Sequence, residues 1–231
     1  MKTNLIVALD VPSAAQIPPI LLHLPAEVQW FKVGLELFCR DGAESLTHLK
    51  DRNRHIFLDL KLHDIPRTVA NAVTSAASHG ADLMTVHACG GRAMLEAAAE
   101  AARNAGEHRP KIIAVTVLTS LDASDLRDIG VSRSPSEQVL ALADLALSAG
   151  ADGLVCSPHE AAALRKEFGP DPILITPGIR LPSDDVGDQK RVATPSFAAE
   201  QGASFIVVGR TILGADDPAE AARTVLSDLG G

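Results

Sequence analysis

The most informative stretch of this chain is Phe57-Leu58-Asp59-Leu60-Lys61-Leu62-His63-Asp64-Ile65-Pro66. It begins as an apolar strand and carries an acid, a base and a second acid where a turn should start. Residues two apart in a strand point to the same side of a sheet, so Asp59 and Lys61 should face the same way. Charges are costly to bury unless they are paired. The stretch therefore predicts a buried strand that ends in an active site, and a structural ion pair is the alternative.

Short apolar runs, rich in Val and Ile, recur along the chain, as is typical of parallel strands that are buried on both faces. The predicted strands are Leu5–Leu9, Val28–Val33, His55–Leu60, Leu83–His87, Ile112–Leu118, Gly153–Ser157, Ile173–Thr176 and Phe205–Val208. Ala-rich or amphipathic segments lie between them. The predicted helices include Arg67–Ser78, Arg92–Asn104, Ser136–Ser148, Pro158–Glu167 and Pro218–Leu226.

This alternation predicts an α/β fold, a (β/α)8 TIM barrel that forms a single domain over residues 1–231. A Gly-Ala-Asp sequence follows a helical segment at residues 80–82 and again at 150–152, with a weaker Gly-Ala-Ser version at 202–204. No linker or low-complexity tract divides the chain. A doubly wound open sheet is the alternative architecture.

Composition excludes several classes of protein. The net charge of −8 argues against a nucleic-acid-binding protein, which usually carries a basic patch. Cys39, Cys89 and Cys156 are far apart and odd in number, so we expect no disulfide framework and a reducing, cytoplasmic location. No apolar stretch is long enough to span a membrane. The histidines show no metal-ligand spacing, and we expect no metal site.

Polar side chains follow most of the predicted strands at their carboxyl ends. In a barrel these ends meet on one face, where active sites lie, so the side chains should converge. The residues concerned are Asp10, Lys32, Asp59, Lys61, His87, Thr119, Ser120, Arg180 and Arg210.

A phosphate site is predicted after strands seven and eight. Gly209 follows the last strand and begins a helical segment, where backbone N–H groups can bind an anion. Arg210 and Arg180 can bind the same phosphate through their guanidinium groups. The polar loop 180–191 is long for its position and could act as a lid, with Gln189 placed over a ligand.

The second predicted subsite is an alternating network of Lys32, Asp59, Lys61 and Asp64, which would fix the position of Lys61. A fixed ammonium beside a substrate carbon can stabilise a developing carbanion and then supply a proton. A fixed carboxylate nearby would repel a substrate carboxylate.

Residues 59–66 resemble the D-x-K-x-x-D-I-P signature of the orotidine 5'-phosphate decarboxylase family, in its bacterial branch. Further motifs of that family occur in order from strand one to strand eight. They are Val7-Ala8-Leu9-Asp10, Phe31-Lys32-Val33-Gly34, Thr85-Val86-His87-Ala88, Val117-Leu118-Thr119-Ser120, Thr176-Pro177-Gly178-Ile179-Arg180 and Val208-Gly209-Arg210.

The resemblance implies decarboxylation of orotidine 5'-monophosphate to UMP, the last step of UMP synthesis, without a metal or an organic cofactor. It implies that Lys61 protonates C6 after carbon dioxide leaves, beside Asp59 and Lys32. It also implies a homodimer, in which Asp64 and Thr68 reach the neighbouring subunit's site. The remaining implied contacts are ribose to Asp10 and Lys32, pyrimidine to Thr119 or Ser120, and phosphate to Arg180, Gln189, Gly209 and Arg210.

Two alternatives remain open. A related sugar-phosphate branch, which includes 3-keto-L-gulonate 6-phosphate decarboxylase and hexulose phosphate synthase, shares the D-x-K-x-x-D core but uses magnesium. That branch has Glu where this chain has Lys32, and a lysine would oppose a cation. A non-catalytic nucleotide binder on the same scaffold is the other alternative, because a fold does not prove an activity.

Overall fold

The computed structural model describes residues 2–181 and 193–230. Eight parallel strands close into a barrel in which spatial order follows chain order, and this confirms the predicted (β/α)8 barrel. The strands are β1 (Asn4–Ala8), β2 (Trp30–Val33), β3 (His55–Leu62), β4 (Leu83–His87), β5 (Lys111–Val115), β6 (Gly153–Val155), β7 (Ile173–Thr176) and β8 (Phe205–Val208).

Helices connect the strands. They are α1 (Ile17–His23), α2 (Leu35–Asp41), α3 (Glu44–Lys50), α4 (Pro66–Ser78), α5 (Arg92–Asn104), α6 (Ala123–Asp128), α7 (Pro135–Ser148), α8 (Pro158–Phe168), α9 (Pro195–Glu200), α10 (Arg210–Leu213) and α11 (Pro218–Asp228). Several begin with proline, whose fixed φ suits the first helical position. The five helices predicted above agree with these bounds to within two residues.

The strands bury both of their faces. Their outer faces pack against the helices, and their inner faces fill the barrel with a smaller apolar cluster. The members of the inner cluster are Ile6, Ala8, Phe57, Leu83, Ile113, Ile175 and Val207. Four members of this inner cluster, Ala8, Phe57, Ile175 and Val207, also line a cavity at the charged ends of the strands.

The carboxyl ends of three strands differ from the prediction by two residues or more. β5 ends at Val115 and not at Leu118, and β6 ends at Val155 because the side chain of Ser157 accepts a hydrogen bond from the His159 amide and caps α8. β3 continues to Leu62, two residues beyond the predicted end. Because of this extension, Lys61 as well as Asp59 belongs to the strand.

The recurring Gly-Ala-Asp and Gly-Ala-Ser sequences have one structural role, at the amino-terminal end of the barrel. The last residue of each stands before an even-numbered strand, and its side chain accepts a hydrogen bond from an amide of the preceding strand. The pairs are Asp82 with Ile56 N at 2.7 Å, Asp152 with Ile112 N at 2.9 Å and Ser204 with Leu174 N at 3.1 Å. These contacts join β3 to β4, β5 to β6 and β7 to β8, at the end of the barrel opposite the charged motif.

Candidate active site

Four charged side chains form a continuous row at the carboxyl ends of β1, β2 and β3. Lys32 Nζ lies 3.0 Å from Asp10 Oδ1 and 3.8 Å from Asp59 Oδ2. Lys61 Nζ donates to both oxygens of Asp59, each at 2.8 Å. Each lysine therefore contacts a carboxylate, and Asp59 contacts both lysines.

The strands themselves place these charges. Lys32 pairs in register with Ala8 and Phe57, two members of the inner apolar cluster, so its side chain also points into the barrel. Asp59 lies two residues after Phe57 and is buried, at 9% exposure. A buried carboxylate needs partners, and the two lysines supply them.

Thr85 on β4 completes the surroundings of Asp59. Its hydroxyl donates to Asp59 Oδ1 at 3.0 Å and accepts from the Lys61 amide at 2.8 Å, and the residue is fully buried. Thr85 was not among the residues predicted for the site. The available signal was a polar residue in the middle of a buried strand, where a hydroxyl requires a hydrogen-bonding partner.

A cavity of about 350 Å³ opens beside the row. Its volume is in the range of small-molecule sites. Most of the residues predicted for the site line it, namely Asp10, Lys32, Asp59, Lys61, Thr119, Ser120, Arg180, Gly209 and Arg210. The remaining lining is mostly apolar and includes Ala8, Phe57, Val115, Val117, Leu118, Val155, Ile175 and Val207.

The arginine end of the cavity follows β7 and β8. Arg180 donates to the carbonyl of Ile179 at 2.8 Å, and Arg210 begins the short helix α10 after Gly209. A Cβ atom at Gly209 would lie 3.2 Å from Asp10 Oδ2 and 3.3 Å from Ala8 Cβ. The missing side chain at Gly209 therefore lets β8 approach β1 closely at the edge of the cavity.

Two predicted site residues lie outside the cavity. Asp64 and Thr68 are exposed and do not line the cavity of their own chain, and the Asp64 carboxylate accepts from the Ile65 amide at 2.7 Å. Their predicted role in a neighbouring subunit stays a prediction. Gln189 lies outside the described residues. Within the chain, the second acid of the charged row is Asp10, which lies at the Lys32 end of the row.

Two histidines stand beside the row. The ring of His87, at the end of β4, lies 5.6 Å from the ring of His63. Burial lowers the pKa of His87 below its usual value of 6.5, the charges of His63 and Lys61 lower it further, and Asp59 raises it. His87 should therefore be neutral at pH 7.

The part of the chain that the structure describes offers neither a metal site nor a membrane-spanning helix. No group of three or more His, Cys, Asp or Glu side chains there is arranged to hold a metal ion. None of the helices there is both long and apolar enough to cross a membrane.

Comparison with known proteins gives one consistent result. The sequence profile of the "Orotidine 5'-phosphate decarboxylase / HUMPS family" matches residues 3–225. The orotidine 5'-phosphate decarboxylase of Opitutus terrae is 47% identical over 231 residues, with 99% of both chains covered. That of Halorhodospira halophila is 49% identical over 226 residues, covering 98% of this chain and 95% of the relative. The crystal structure of the Lactobacillus acidophilus orotidine 5'-phosphate decarboxylase matches with a TM-score of 0.88 at 40% identity, covering 99% of this chain and 100% of that one.

Proposed function

The chain belongs to the orotidine 5'-phosphate decarboxylase / HUMPS family, and we propose that it converts orotidine 5'-monophosphate to UMP without a cofactor. The observation that carries this proposal is the row Asp10, Lys32, Asp59 and Lys61, which forms one wall of a cavity whose rim also bears two arginines. A nucleoside monophosphate has two corresponding ends, since a ribose joins its anionic phosphate to its base.

The arginine end suits the phosphate. Arg180 and Arg210 provide guanidinium donors, and Gly209, which lines the same cavity, would add its backbone amide. In our proposal Gln189 closes over the same phosphate. Binding energy from this remote group can then be used at the reacting carbon.

The charged row suits the chemistry. Asp10 and Lys32 would bind the ribose hydroxyls, and Thr119 or Ser120 would contact the pyrimidine ring. The substrate carboxylate would lie close to Asp59, whose charge opposes it. The bond from C6 to the carboxylate breaks, its electron pair stays on C6, and carbon dioxide leaves. The ammonium of Lys61 stabilises that carbanion and gives it a proton.

A homodimer completes the site in this proposal. Asp64 of the partner subunit would approach Lys61, and Thr68 of the partner subunit would contact the ligand. The loop after β3 also exposes Ile65, at 67%, and Leu35 after β2 is 54% exposed. Exposed apolar side chains just after two neighbouring strands favour an interface at this rim. In a two-fold dimer the same loops of both subunits would meet, giving two composite sites.

The charged row also separates the two branches of the family. The sugar-phosphate branch would hold magnesium through carboxylates, whereas Lys32 places an ammonium between Asp10 and Asp59. A cation at that position would compete with Lys32 for both acids. The row therefore favours the nucleotide substrate and a metal-free reaction. We also propose a cytoplasmic location, in keeping with the absence of a disulfide at Cys39, Cys89 and Cys156, all of which lie in the described part of the chain.

The test follows the ultraviolet absorbance of orotidine 5'-monophosphate in excess EDTA. Wild-type protein should consume the substrate, and Lys61→Ala should lose at least about a hundredfold in kcat, the lower end of general acid catalysis. Lys166→Ala, at an exposed position on α8, is the matched control and should match wild type.

Binding of UMP to Lys61→Ala completes this test. Retained UMP binding without turnover places Lys61 in the chemical step. If the wild-type protein instead acted on a sugar phosphate and required magnesium, it would belong to the sugar-phosphate branch. A wild-type protein that binds UMP but turns over neither substrate would be a nucleotide binder.

A further inference from the structure

The backbone of Lys61 is held in an unusual conformation. Its φ is +50°, in the left-handed region, and among the described residues only Asn53 is another non-glycine residue with a positive φ. Asparagine tolerates that region, whereas a lysine enters it at a cost and stays only where its surroundings impose it. Contacts within the site must therefore hold the backbone of Lys61 in this conformation.

The register of the sheet shows where the irregularity lies. Leu58 pairs with Met84 and Leu62 pairs with Val86, so β3 has four steps where β4 has two. The extra residues of β3 include Asp59 and Lys61, and Thr85 is the β4 residue opposite them. An irregularity of this kind interrupts the ladder of backbone hydrogen bonds and turns side chains to new directions.

The Thr85 hydroxyl fills that interruption. It accepts from the Lys61 amide at 2.8 Å and donates to Asp59 Oδ1 at 3.0 Å. Asp59 in turn accepts from Lys61 Nζ at 2.8 Å. The three residues thus form a closed ring of hydrogen bonds, in which one hydroxyl contacts the backbone of the lysine and the side chain of its acidic partner.

We propose that Thr85 is a positioning residue for the decarboxylation, which fixes the left-handed backbone of Lys61 and the carboxylate of Asp59 through a single hydroxyl. This inference rests on the proposed function. Thr85 does not line the cavity, and it acts through the two charged residues that do.

Thr85→Val tests the proposal because it keeps the shape of the side chain and removes only the hydroxyl. The Lys61 amide then loses its acceptor, and Asp59 Oδ1 loses one hydrogen bond while it keeps the one from Lys61 Nζ. We expect kcat to fall roughly tenfold to a hundredfold with little change in KM, since Thr85 lies on β4 whereas the residues proposed for phosphate binding follow β7 and β8.

Thr176→Val is the matched control. Thr176 is equally buried at the end of β7, and its hydroxyl donates to the carbonyl of Phe205 at 3.3 Å, away from the charged row. Its kcat should stay close to wild type. A folded Thr85→Val enzyme with the kcat of wild type would overturn the proposal, and so would an equal loss in both variants.

A second pair keeps the test valid if Thr85→Val does not fold. Thr85→Ser and Thr85→Ala both lose the methyl group, and only the serine keeps a hydroxyl. The serine variant should retain most of the wild-type kcat, and the alanine variant should not. Equal values in the two would show that the hydroxyl has no role.

Crystal structures of wild type and Thr85→Val separate this inference from the proposed function. Thr85→Val should show Lys61 outside the left-handed region or Nζ turned away from Asp59. That result would support the positioning role even if the wild-type protein decarboxylated no nucleotide. An unchanged Lys61 would overturn the role while leaving the decarboxylase assignment intact.

Discussion

At the scale of single residues, Gly34 controls the space around Lys32. Its φ of −100° and ψ of −173° are open to any residue, so backbone freedom is not the reason for glycine here. A Cβ atom at Gly34 would lie 2.8 Å from Lys32 Nζ and 3.6 Å from Asp10 Oδ1. The absence of a side chain lets the ammonium reach both of its carboxylates.

Gly34→Ala should therefore impair the enzyme without unfolding it. The end of the lysine side chain can move aside at little cost in stability, but the ammonium then leaves Asp10 and Asp59. We expect kcat/KM for orotidine 5'-monophosphate to fall about tenfold, equivalent to about 1.4 kcal/mol of transition-state stabilisation. Steady-state kinetics and thermal unfolding measure the two effects. Unchanged kinetics would show that Lys32 does not need its present position.

The titration of His87 makes the stability of the folded protein depend on pH. Its pKa in the folded state is below the usual 6.5, chiefly because of burial. As pH falls through 6.5, the unfolded chain therefore takes up the proton first, and stability is lost between 6.5 and the folded-state pKa. Above 6.5 both states are mostly neutral at this residue, and its contribution is constant.

His87→Gln should remove this contribution. The Tm of wild type minus that of the variant should be constant above about pH 7 and should decrease as pH falls toward about pH 5. Thermal melts across that range measure it. Parallel curves for the two proteins would contradict the lowered pKa of His87.

At the scale of elements, the contacts at the amino-terminal end of the barrel hold neighbouring strands together. Among the residues that make these contacts, Asp152 has the largest set of hydrogen-bond partners. It accepts from the Ile112 amide, from both terminal nitrogens of Arg109 and from Lys111. Its loss would leave a buried amide without an acceptor and two cations without a partner.

Asp152→Ala should lower the free energy of unfolding by about 2 kcal/mol, the cost of an unsatisfied buried amide. Asp152→Asn, which keeps an oxygen acceptor, should lose less. Glu96→Ala removes an acid from an exposed ion pair with Arg92 and should change stability by less than about 1 kcal/mol. Urea titrations give the three values, and equal losses at positions 96 and 152 would refute the role of the Ile112 contact.

Most elements could be predicted from the sequence because their apolar runs and helix starts are local signals. The path of β3 could not, because strand periodicity assumes a regular ladder and β3 gains residues relative to β4 between Leu58 and Leu62. Asp59 and Lys61 still face the same cavity, as predicted, but an irregular backbone brings them there. An irregularity of this kind depends on contacts with another strand, which the sequence of β3 alone does not contain.

The candidate site was predicted where its residues carry charge or end a strand. Thr85 was missed because its role depends on two hydrogen bonds across the sheet. Asp10 was assigned to the ribose alone, whereas it also pairs with Lys32. Sequence patterns identify residue types at strand ends, but they do not give the distances between residues of different strands.

At the scale of the whole molecule, the proposed active site is built from two subunits. Lys61 belongs to the cavity of its own chain, whereas Asp64 is exposed on the loop that follows β3. A substitution of Lys61 and a substitution of Asp64 should therefore each remove one of the two groups that a composite site takes from different subunits. Two inactive variants can then restore one another when their subunits mix.

The most direct test is to mix Lys61→Ala with Asp64→Asn after subunit exchange and to measure decarboxylation in EDTA. Each mixed dimer has one site with Lys61 from one chain and Asp64 from the other. Random mixing should therefore recover about a quarter of wild-type activity, since half of the dimers are mixed and each has one intact site of two. Activity no higher than that of the separate variants, in a mixture shown to contain mixed dimers, would contradict the composite site.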